Sequence, residues 1–199
     1  MNFEDDKDHA RKALLLEERI AHMQNAYLAI QNCRWPVLVG INGACIGAGV
    51  DMLTTFDIAY ATKQSFFSIK EVDIGMAADL GTLQRIPILA NNWGLMKEYA
   101  MTGNRIPAEE AQKIGLVARV FDTPEQMKEN LFKLADLIAS KSPVAIVNVK
   151  HHINTPIRYE VERGLLDIRR TNMSQLFTDD MALAATANLQ KKSVTFQKL

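Results

Sequence analysis

The sequence predicts an α/β fold: short strands alternate with helices over residues 1–140, and a helical region follows over residues 141–199. Two observations lead to this prediction. Short apolar runs, such as 37–41 and 57–61, lie between segments whose apolar residues recur at helical spacing. In the second region only the helical spacing continues. Strand–helix–strand units of this kind are typical of a largely parallel sheet covered by helices.

The first helix is predicted between residues 10 and 32, where apolar residues recur every three or four positions. Pro36 ends this helix, because a proline disfavours helical geometry in the residue before it. We expect these apolar residues to form its buried face: Leu14, Leu15, Ile20, Met23, Tyr27, Leu28 and Ile30. The next predicted elements are a buried strand over 37–41, a glycine-rich loop over 42–49, the start of a helix over 50–55, and strands over 57–61 and 65–68.

The second half of the chain is predicted from its turn and cap signals. We expect Pro87 to interrupt a short helix that begins at Thr82. Thr123 and Ser142 each precede a proline at the start of a helical pattern, which is a common way for a helix to begin. The other predicted elements are a loop over 74–81, a helix over 93–102, a turn over 103–106, a helix from 107, a strand over 116–121, helices to about 140 and 153, and a helix over 156–190 with a break near 178–180.

Composition limits the class of protein. A chain of 199 residues is long enough for one substantial core, so we expect a single domain over 1–199. Lysine plus arginine and aspartate plus glutamate each number 23, and this zero net charge disfavours a nucleic-acid partner. No apolar run approaches the roughly 18 residues of a membrane span. Cys33 and Cys45 fit neither a disulfide framework nor a metal site, so we expect two buried thiols and no metal.

Gly47, Ala48 and Gly49 form a small-residue turn at the predicted junction of a strand and a helix. Small residues let a ligand approach the backbone closely, and the free N–H groups at a helix start attract negative charge. An ester or thioester carbonyl placed there would have its enolate stabilised. A plain tight turn explains the same residues, so both interpretations stay open. The spacing matches neither a P-loop nor a dinucleotide-binding fingerprint.

Three carboxylates, Asp51, Glu71 and Asp79, follow this turn in or beside apolar runs. Each has an ordinary explanation, because acids stabilise helix starts, cap helices or point to solvent at a strand end. Together they suggest more, since the loops of a parallel α/β layout gather at one sheet edge, where ligands bind. Two carboxylates near one apolar pocket would have their pKa values pushed apart. One acid could then accept a proton while the other donates one.

Several segments of the chain are informative together: INGACIGAGVD with the FDIAYA strand after it, GTLQRIP, and TGNRIPAEEAQKIGLVARVF. They resemble segments of the crotonase superfamily of enoyl-CoA hydratases and isomerases. The resemblance covers nearly the whole chain, and it implies a crotonase-like fold of ββα units with parallel sheets, followed by a helical C-terminal region. The chain is most similar to the Δ3,5-Δ2,4-dienoyl-CoA isomerases, whose pattern has acids at the places of Asp51, Glu71 and Asp79. A hydratase typically has glutamates at the first two places and glycine at the third.

This resemblance implies that the chain isomerises 3,5-dienoyl-CoA to 2,4-dienoyl-CoA in fatty acid β-oxidation. The backbone N–H of Ala48, in the turn that begins at Gly47, would hold the thioester oxygen. Asp79 would remove a proton at C2, Glu71 would deliver one at C6, and Asp51 would tune or orient the pair. CoA is part of the acyl-CoA substrate, so no cofactor is expected. Family members usually have glycine where this chain has Ala48, which implies a tighter oxyanion hole.

The resemblance also implies features beyond the site. Family members carry more chain before the first helix, including a second oxyanion donor and part of the CoA pocket, so we expect this chain to be N-terminally truncated. Two alternatives therefore stay open: a catalytically silent subunit of the crotonase fold, and an enoyl-CoA hydratase. The family implies a homotrimer or hexamer. The terminal Gln197-Lys198-Leu199 is close to the Ser-Lys-Leu peroxisomal address, with the mitochondrion as the rival location.

Overall fold

A computed structural model describes residues 8–194 and 196. Gln197-Lys198-Leu199, on which the peroxisomal address was predicted, lie outside the described residues. The helices are α1 (His9–Gln31), α2 (Ala48–Leu53), α3 (Thr82–Leu89), α4 (Trp93–Thr102), α5 (Ala108–Lys113), α6 (Pro124–Ala139), α7 (Pro143–Gln175) and α8 (Asp179–Leu189). The strands are β1 (Leu38–Ile41), β2 (Ala44–Ile46), β3 (Ile58–Thr62), β4 (Phe66–Ser68), β5 (Ile106–Pro107) and β6 (Arg119–Phe121), with a 3-10 turn at Glu71–Ile74. This order confirms the predicted α/β fold with a helical C-terminal region.

The described strands form two small sheets. In the first, β3 lies between β1 and β6, and all three strands are parallel. In the second, β4 lies between β2, which is parallel to it, and β5, which is antiparallel. Cys45 of β2 lies opposite Phe67 of β4. Because β2 and β4 run in the same direction, α2 and the 3-10 turn both begin at the same edge of this sheet.

The prediction of a continuous loop over 42–49 is wrong, because its central residues form β2. The N–H of Phe66 donates to the carbonyl of Gly43 at 3.2 Å, and the N–H of Gly47 donates to the carbonyl of Ser68 at 2.9 Å. These two bonds extend the β2–β4 pairing at both ends. The partner strand lies far along the chain, so a local reading of a glycine-rich segment does not reveal it.

Helix α7 is continuous, against the prediction that a helix would end near Ile153. Pro156 lies inside α7, where a proline removes one backbone hydrogen bond. Beside it, the Thr155 hydroxyl donates to the carbonyl of His151 at 2.7 Å and supplies another bond in that turn. The predicted break near 178–180 is confirmed, because α7 and α8 are separated there.

Helix α3 likewise continues through Pro87, where an interruption was predicted. The proline leaves the carbonyl of Leu83 without its intrahelical donor. The indole N–H of Trp93 donates to the carbonyl of Pro87 at 2.9 Å and ties the start of α4 to the end of α3. Helix α3 is therefore a single element whose first turn reaches the site described below.

Helix α1 confirms the predicted first helix, but its buried residues share only Ile20 with the predicted face. Leu14 and Met23 of the predicted apolar face are 56% and 41% exposed. Helix α1 packs against α7, and this contact decides which side is covered. The spacing of apolar residues cannot identify polar residues that such a contact buries. The buried residues of α1 are Ala13, Leu16, Ile20, Gln24 and Gln31.

The core lies around the second sheet and the short helices next to it. Val50, Phe67 and Ile106 are fully buried there, together with Cys45. Cys33 is only half-buried, so the prediction of two buried thiols holds for Cys45 alone. In the part of the chain that the structure describes, no helix combines the length and apolar character of a membrane span.

Candidate active site

The turn at the start of α2 presents unpaired backbone donors. Gly47 precedes the helix with φ +57° and ψ −124°, and its own N–H is bonded to the Ser68 carbonyl. Among the described residues, the N–H groups of Ala48 and Gly49 have no acceptor, as expected for the first turn of a helix. The Tyr27 hydroxyl donates to the carbonyl of Ala48 at 3.2 Å and fixes the turn from α1. Gly47 thus shapes the turn, and Ala48 offers the donor.

The three predicted acids follow the turn on consecutive segments. Asp51 lies in the first turn of α2, Glu71 begins the 3-10 turn after β4, and Asp79 lies in the loop before α3. Their exposed fractions are 1%, 9% and 5%. Burial of carboxylates is costly unless they are paired, protonated or hydrogen-bonded. Their surroundings therefore decide what each one can do.

Contacts between these segments bring the acids together. The N–H of Thr82, the first residue of α3, donates to Asp51 Oδ1 at 2.7 Å. Glu71 Oε1 lies against the turn, because a Cβ atom built on Gly47 would be 3.0 Å from it. Glu71 is close enough to Asp51 and Asp79 for both charges to raise its pKa. The structure therefore places all three predicted acids in one cluster beside the free N–H groups, and their chemical roles stay predictions.

The acids differ in what surrounds them. Burial raises the pKa of Glu71 to about 7; hydrogen bonding to backbone N–H groups of its own segment opposes this, and the charges of Asp51 and Asp79 add to it. Glu71 Oε2 is buried without a hydrogen-bond partner in the described part of the chain. Burial also raises the pKa of Asp51 and of Asp79, but hydrogen bonds from Thr82 and Asn172 oppose the effect. Glu71 is thus the acid suited to hold a proton near neutral pH, because burial outweighs its hydrogen bonds, while Thr82 and Asn172 favour the charged forms of the two aspartates.

The raised pKa of Glu71 predicts how stability depends on pH. The folded state binds the Glu71 proton more tightly than the unfolded chain, whose glutamate has the ordinary pKa of 4.5. The stability that this proton contributes is fully present below pH 4.5 and is lost as the pH rises through about 7. Glu71→Gln stays neutral, so its free energy of unfolding relative to the native chain should rise by about 2–3 kcal/mol over that range.

Urea unfolding of both proteins at pH 5 and pH 8 measures this difference. The two aspartates are present in both proteins, so their own titration largely cancels. A difference between the proteins that does not change with pH would contradict the raised pKa of Glu71.

Arg85 is a buried cation beside these acids that the sequence did not single out. Its exposed fraction is 2%; its Nε donates to Gln31 Oε1 at 2.9 Å and its Nη1 to the carbonyl of Leu80 at 3.2 Å. Burial lowers the pKa of Arg85 to about 10, and the charge of Asp51 opposes this. The guanidinium in turn favours the charged form of Asp51. Arg85 therefore compensates part of the negative charge of the cluster.

Two further side chains contact the site and were missed: Gln24 on α1 and Asn172 on α7. Both are buried, and both bond to the segment that carries Asp79. Each lies on the buried face of its helix, in line with Ile20 and Leu165 respectively. A polar amide at an otherwise apolar position was the available signal, because buried amides need hydrogen-bond partners.

The acids lie apart from a large cavity. This cavity, of about 390 Å³, lies between the end of α2 and helices α6 and α7, and Thr54, Ile146 and Ile153 are among its lining residues. None of the three acids lines it. The site is instead open at the turn, where Ala48 is exposed. Within residues 8–194 and 196, no group of three or more histidine, cysteine, aspartate or glutamate side chains is arranged to hold a metal ion.

Known proteins are similar to this chain in sequence and in fold. The sequence profile described as enoyl-CoA hydratase/isomerase matches residues 8–198. The chain belongs to this family. This membership confirms the resemblance to the crotonase superfamily on which the site was first interpreted. An enoyl-CoA hydratase from Mycobacterium avium has the same fold, with a TM-score of 0.83, 21% identity, and coverage of 92% of this chain and 71% of that one.

Two relatives within the family carry the name Δ3,5-Δ2,4-dienoyl-CoA isomerase. The mitochondrial protein of Pongo abelii is 42% identical over 195 residues, which is 96% of this chain and 60% of that protein. The peroxisomal protein of Arabidopsis thaliana is 40% identical over 192 residues, with coverage of 96% and 69%. The chain thus spans less than two thirds of the length of the first of these relatives. Both names agree with the subgroup that the sequence predicted.

Proposed function

We propose that the chain is a dienoyl-CoA isomerase that converts a 3,5-dienoyl-CoA to the 2,4-dienoyl-CoA in fatty acid β-oxidation. The observation that carries this proposal is the cluster of three buried acids beside the free N–H of Ala48. The names and identities of the two isomerase relatives support it. Asp79 supports it further, because its carboxylate stands where a hydratase is expected to have glycine.

The reaction is a proton shift that these groups can perform without a cofactor. The thioester oxygen of the substrate accepts a hydrogen bond from the Ala48 N–H, which stabilises negative charge on that oxygen. Asp79, as a carboxylate, takes a proton from C2, and the electron pair of that C–H bond enters the conjugated dienolate. Glu71, as a carboxylic acid, gives its proton to C6. The double bonds then lie at C2 and C4, and the substrate has lost and gained one proton.

The surroundings of the acids support this division of roles. Glu71 has a pKa of about 7, so a substantial fraction is protonated at neutral pH and ready to donate. Asp79 has an amide donor that favours its charged, proton-accepting form. Asp51 is bonded to Thr82 and lies near Arg85, and its charge raises the pKa of Glu71. Asp51 would therefore tune the acid without touching the reacting carbons.

The proposal extends to partners and location. The substrate is an acyl-CoA thioester, and no separate cofactor, nucleic acid or membrane span is required. We expect the chain to assemble as a homotrimer or a hexamer. By analogy with the two relatives, its location would be the mitochondrion or the peroxisome.

Incubation of the purified chain with a 3,5-dienoyl-CoA tests the function directly. We expect conversion to the conjugated 2,4-dienoyl-CoA. The absorbance of the product and chromatography measure this conversion. No conversion by a folded, oligomeric chain would favour the silent subunit. The hydratase would be favoured if the chain adds water to a 2-enoyl-CoA, loses this activity in Glu71→Gln and shows no isomerisation.

A further inference from the structure

Two buried side-chain amides, from helices distant in sequence, hold the segment that carries Asp79. Gln24 Nε2 donates to the carbonyl of Asp79 at 2.7 Å and to that of Leu165 at 3.1 Å. Asn172 Nδ2 donates to the carbonyl of Ala77 and to Asp79 Oδ2, each at 3.0 Å. The exposed fractions of Gln24 and Asn172 are 2% and 0%. The two amides differ in one respect: these hydrogen bonds of Gln24 go to backbone carbonyls, whereas one of those of Asn172 goes to the carboxylate.

We propose that Asn172 is a positioning residue that keeps the Asp79 carboxyl ionised and fixed in orientation, so that it can act as the base. This inference rests on the proposed function, in which Asp79 accepts the C2 proton. It goes beyond that function because Asn172 lies on α7, outside the turn and the acid segments that the family resemblance identified.

The hydrogen bonds allow only one orientation of the Asn172 amide. Its two N–H groups face the Ala77 carbonyl and Asp79 Oδ2, while its Oδ1 is buried without a partner among the described residues. Turning the amide over would place Oδ1 against two acceptors, which is unfavourable. Asn172 can therefore only donate to Asp79. A donor of this kind stabilises a carboxylate more than a neutral carboxyl.

The remaining surroundings of Asp79 make this donor important. Burial disfavours the charged form, and the neighbouring acids Asp51 and Glu71 are negative when ionised. Arg85 is a nearby cation, but its Nε donates to Gln31 and its Nη1 to the carbonyl of Leu80 rather than to Asp79. Of the charged or titratable groups on neighbouring elements, Asp51 on α2 and Glu71 on the 3-10 turn interact with Asp79. Tyr27 on α1 lies near Asp51 and Glu71, Arg85 on α3 lies near Asp51, and Arg169 on α7 forms an ion pair with Glu17 on α1.

Asn172 therefore distinguishes the two acids that move protons. Asp79 Oδ2 has a fixed donor, whereas Glu71 Oε2 is buried without one among the residues that the structure describes. The donor favours the base form of Asp79, and its absence favours the acid form of Glu71. Without the Asn172 donor, both Asp79 and Glu71 would tend to be protonated. Fewer molecules would then have an ionised Asp79 together with a protonated Glu71.

Replacement of Asn172 by leucine removes the donor at similar size, and Gln24→Met is the matched control. The Gln24 variant removes two buried bonds to the same region but none to the carboxylate. Each protein is titrated by carbon NMR of labelled aspartate carboxyls, with the Asp79 signal assigned from Asp79→Asn. We expect the pKa of Asp79 to rise by about one unit in Asn172→Leu. The acidic limb of the kcat–pH profile should move by the same amount, and Gln24→Met should move neither.

An unchanged Asp79 titration in Asn172→Leu overturns the inference, as does an equal shift in both variants. If the leucine variant does not fold, Asn172→Asp keeps the shape and replaces the donor by a second carboxyl. One carboxyl of that pair should then titrate more than a unit above native Asp79, and an unshifted pair overturns the inference. The titration needs no turnover. A shift in a chain that converts no dienoyl-CoA therefore contradicts only the proposed function.

Discussion

Asp79→Asn is expected to lower the turnover of a 3,5-dienoyl-CoA by about 10²–10⁴-fold, the usual contribution of a positioned general base. Asparagine has the same shape but cannot accept the C2 proton. Its side-chain oxygen can still accept the hydrogen bond from Asn172, so the loop before α3 should keep its conformation. Stability should not fall, because the variant no longer buries a charge.

Steady-state kinetics and a thermal melt measure these two effects. Asp73→Asn is the matched control, since Asp73 lies on the 3-10 turn and pairs with Lys70 at the surface. A surface pair of this kind contributes little, so turnover in the control should stay unchanged. Near-normal turnover in Asp79→Asn would refute the role of Asp79 as the base.

Gly47→Ala is expected to disrupt both the donor turn and the position of Glu71. Gly47 has φ +57° and ψ −124°, a backbone conformation that residues other than glycine rarely adopt. The added methyl group would also lie 3.0 Å from Glu71 Oε1. We expect the free energy of unfolding to fall by about 1–3 kcal/mol. Turnover should fall by at least about tenfold, because the Ala48 N–H would no longer be aimed at the thioester oxygen.

Gly49→Ala is the stability control for this experiment. It lies inside α2 without a positive φ, and its added methyl group would be 3.5 Å from Cys45 Sγ, an ordinary contact. Alanine is the better helix former, so stability should be unchanged or rise by up to about 1 kcal/mol. Urea unfolding compares the three proteins. A Gly47 variant as stable and as active as the native chain would show that the turn tolerates another shape.

The sequence predicted the parts of the site that residue type and the order of the segments indicate. Gly47 and Ala48 form a turn whose small residues are a local signal, and Asp51 follows in the same helix. Glu71 and Asp79 end the next segments, and the regular order of strands indicated that these ends meet at one edge. The β2 strand was missed because its pairing with β4 depends on residues far along the chain.

Other parts could not be predicted because they depend on burial and on long-range hydrogen bonds. Gln24 and Asn172 reach Asp79 across 55 and 93 positions of the chain. No local pattern identifies such partners. The apolar face of α1 was assigned from periodicity, yet the side that α1 buries against its neighbours includes Gln24 and shares only Ile20 with the predicted face.

The sequence by itself predicted the fold class, the small-residue turn and the three candidate acids, because these follow from residue types and their order along the chain, together with the family resemblance. Only the tertiary structure decided how the acids differ. Burial raises the pKa of Glu71 to about 7, while Asn172 donates to Asp79 and Thr82 donates to Asp51. The physical reason is that a carboxyl group acquires its acidity from the atoms packed around it, and those atoms come from segments that only folding brings together.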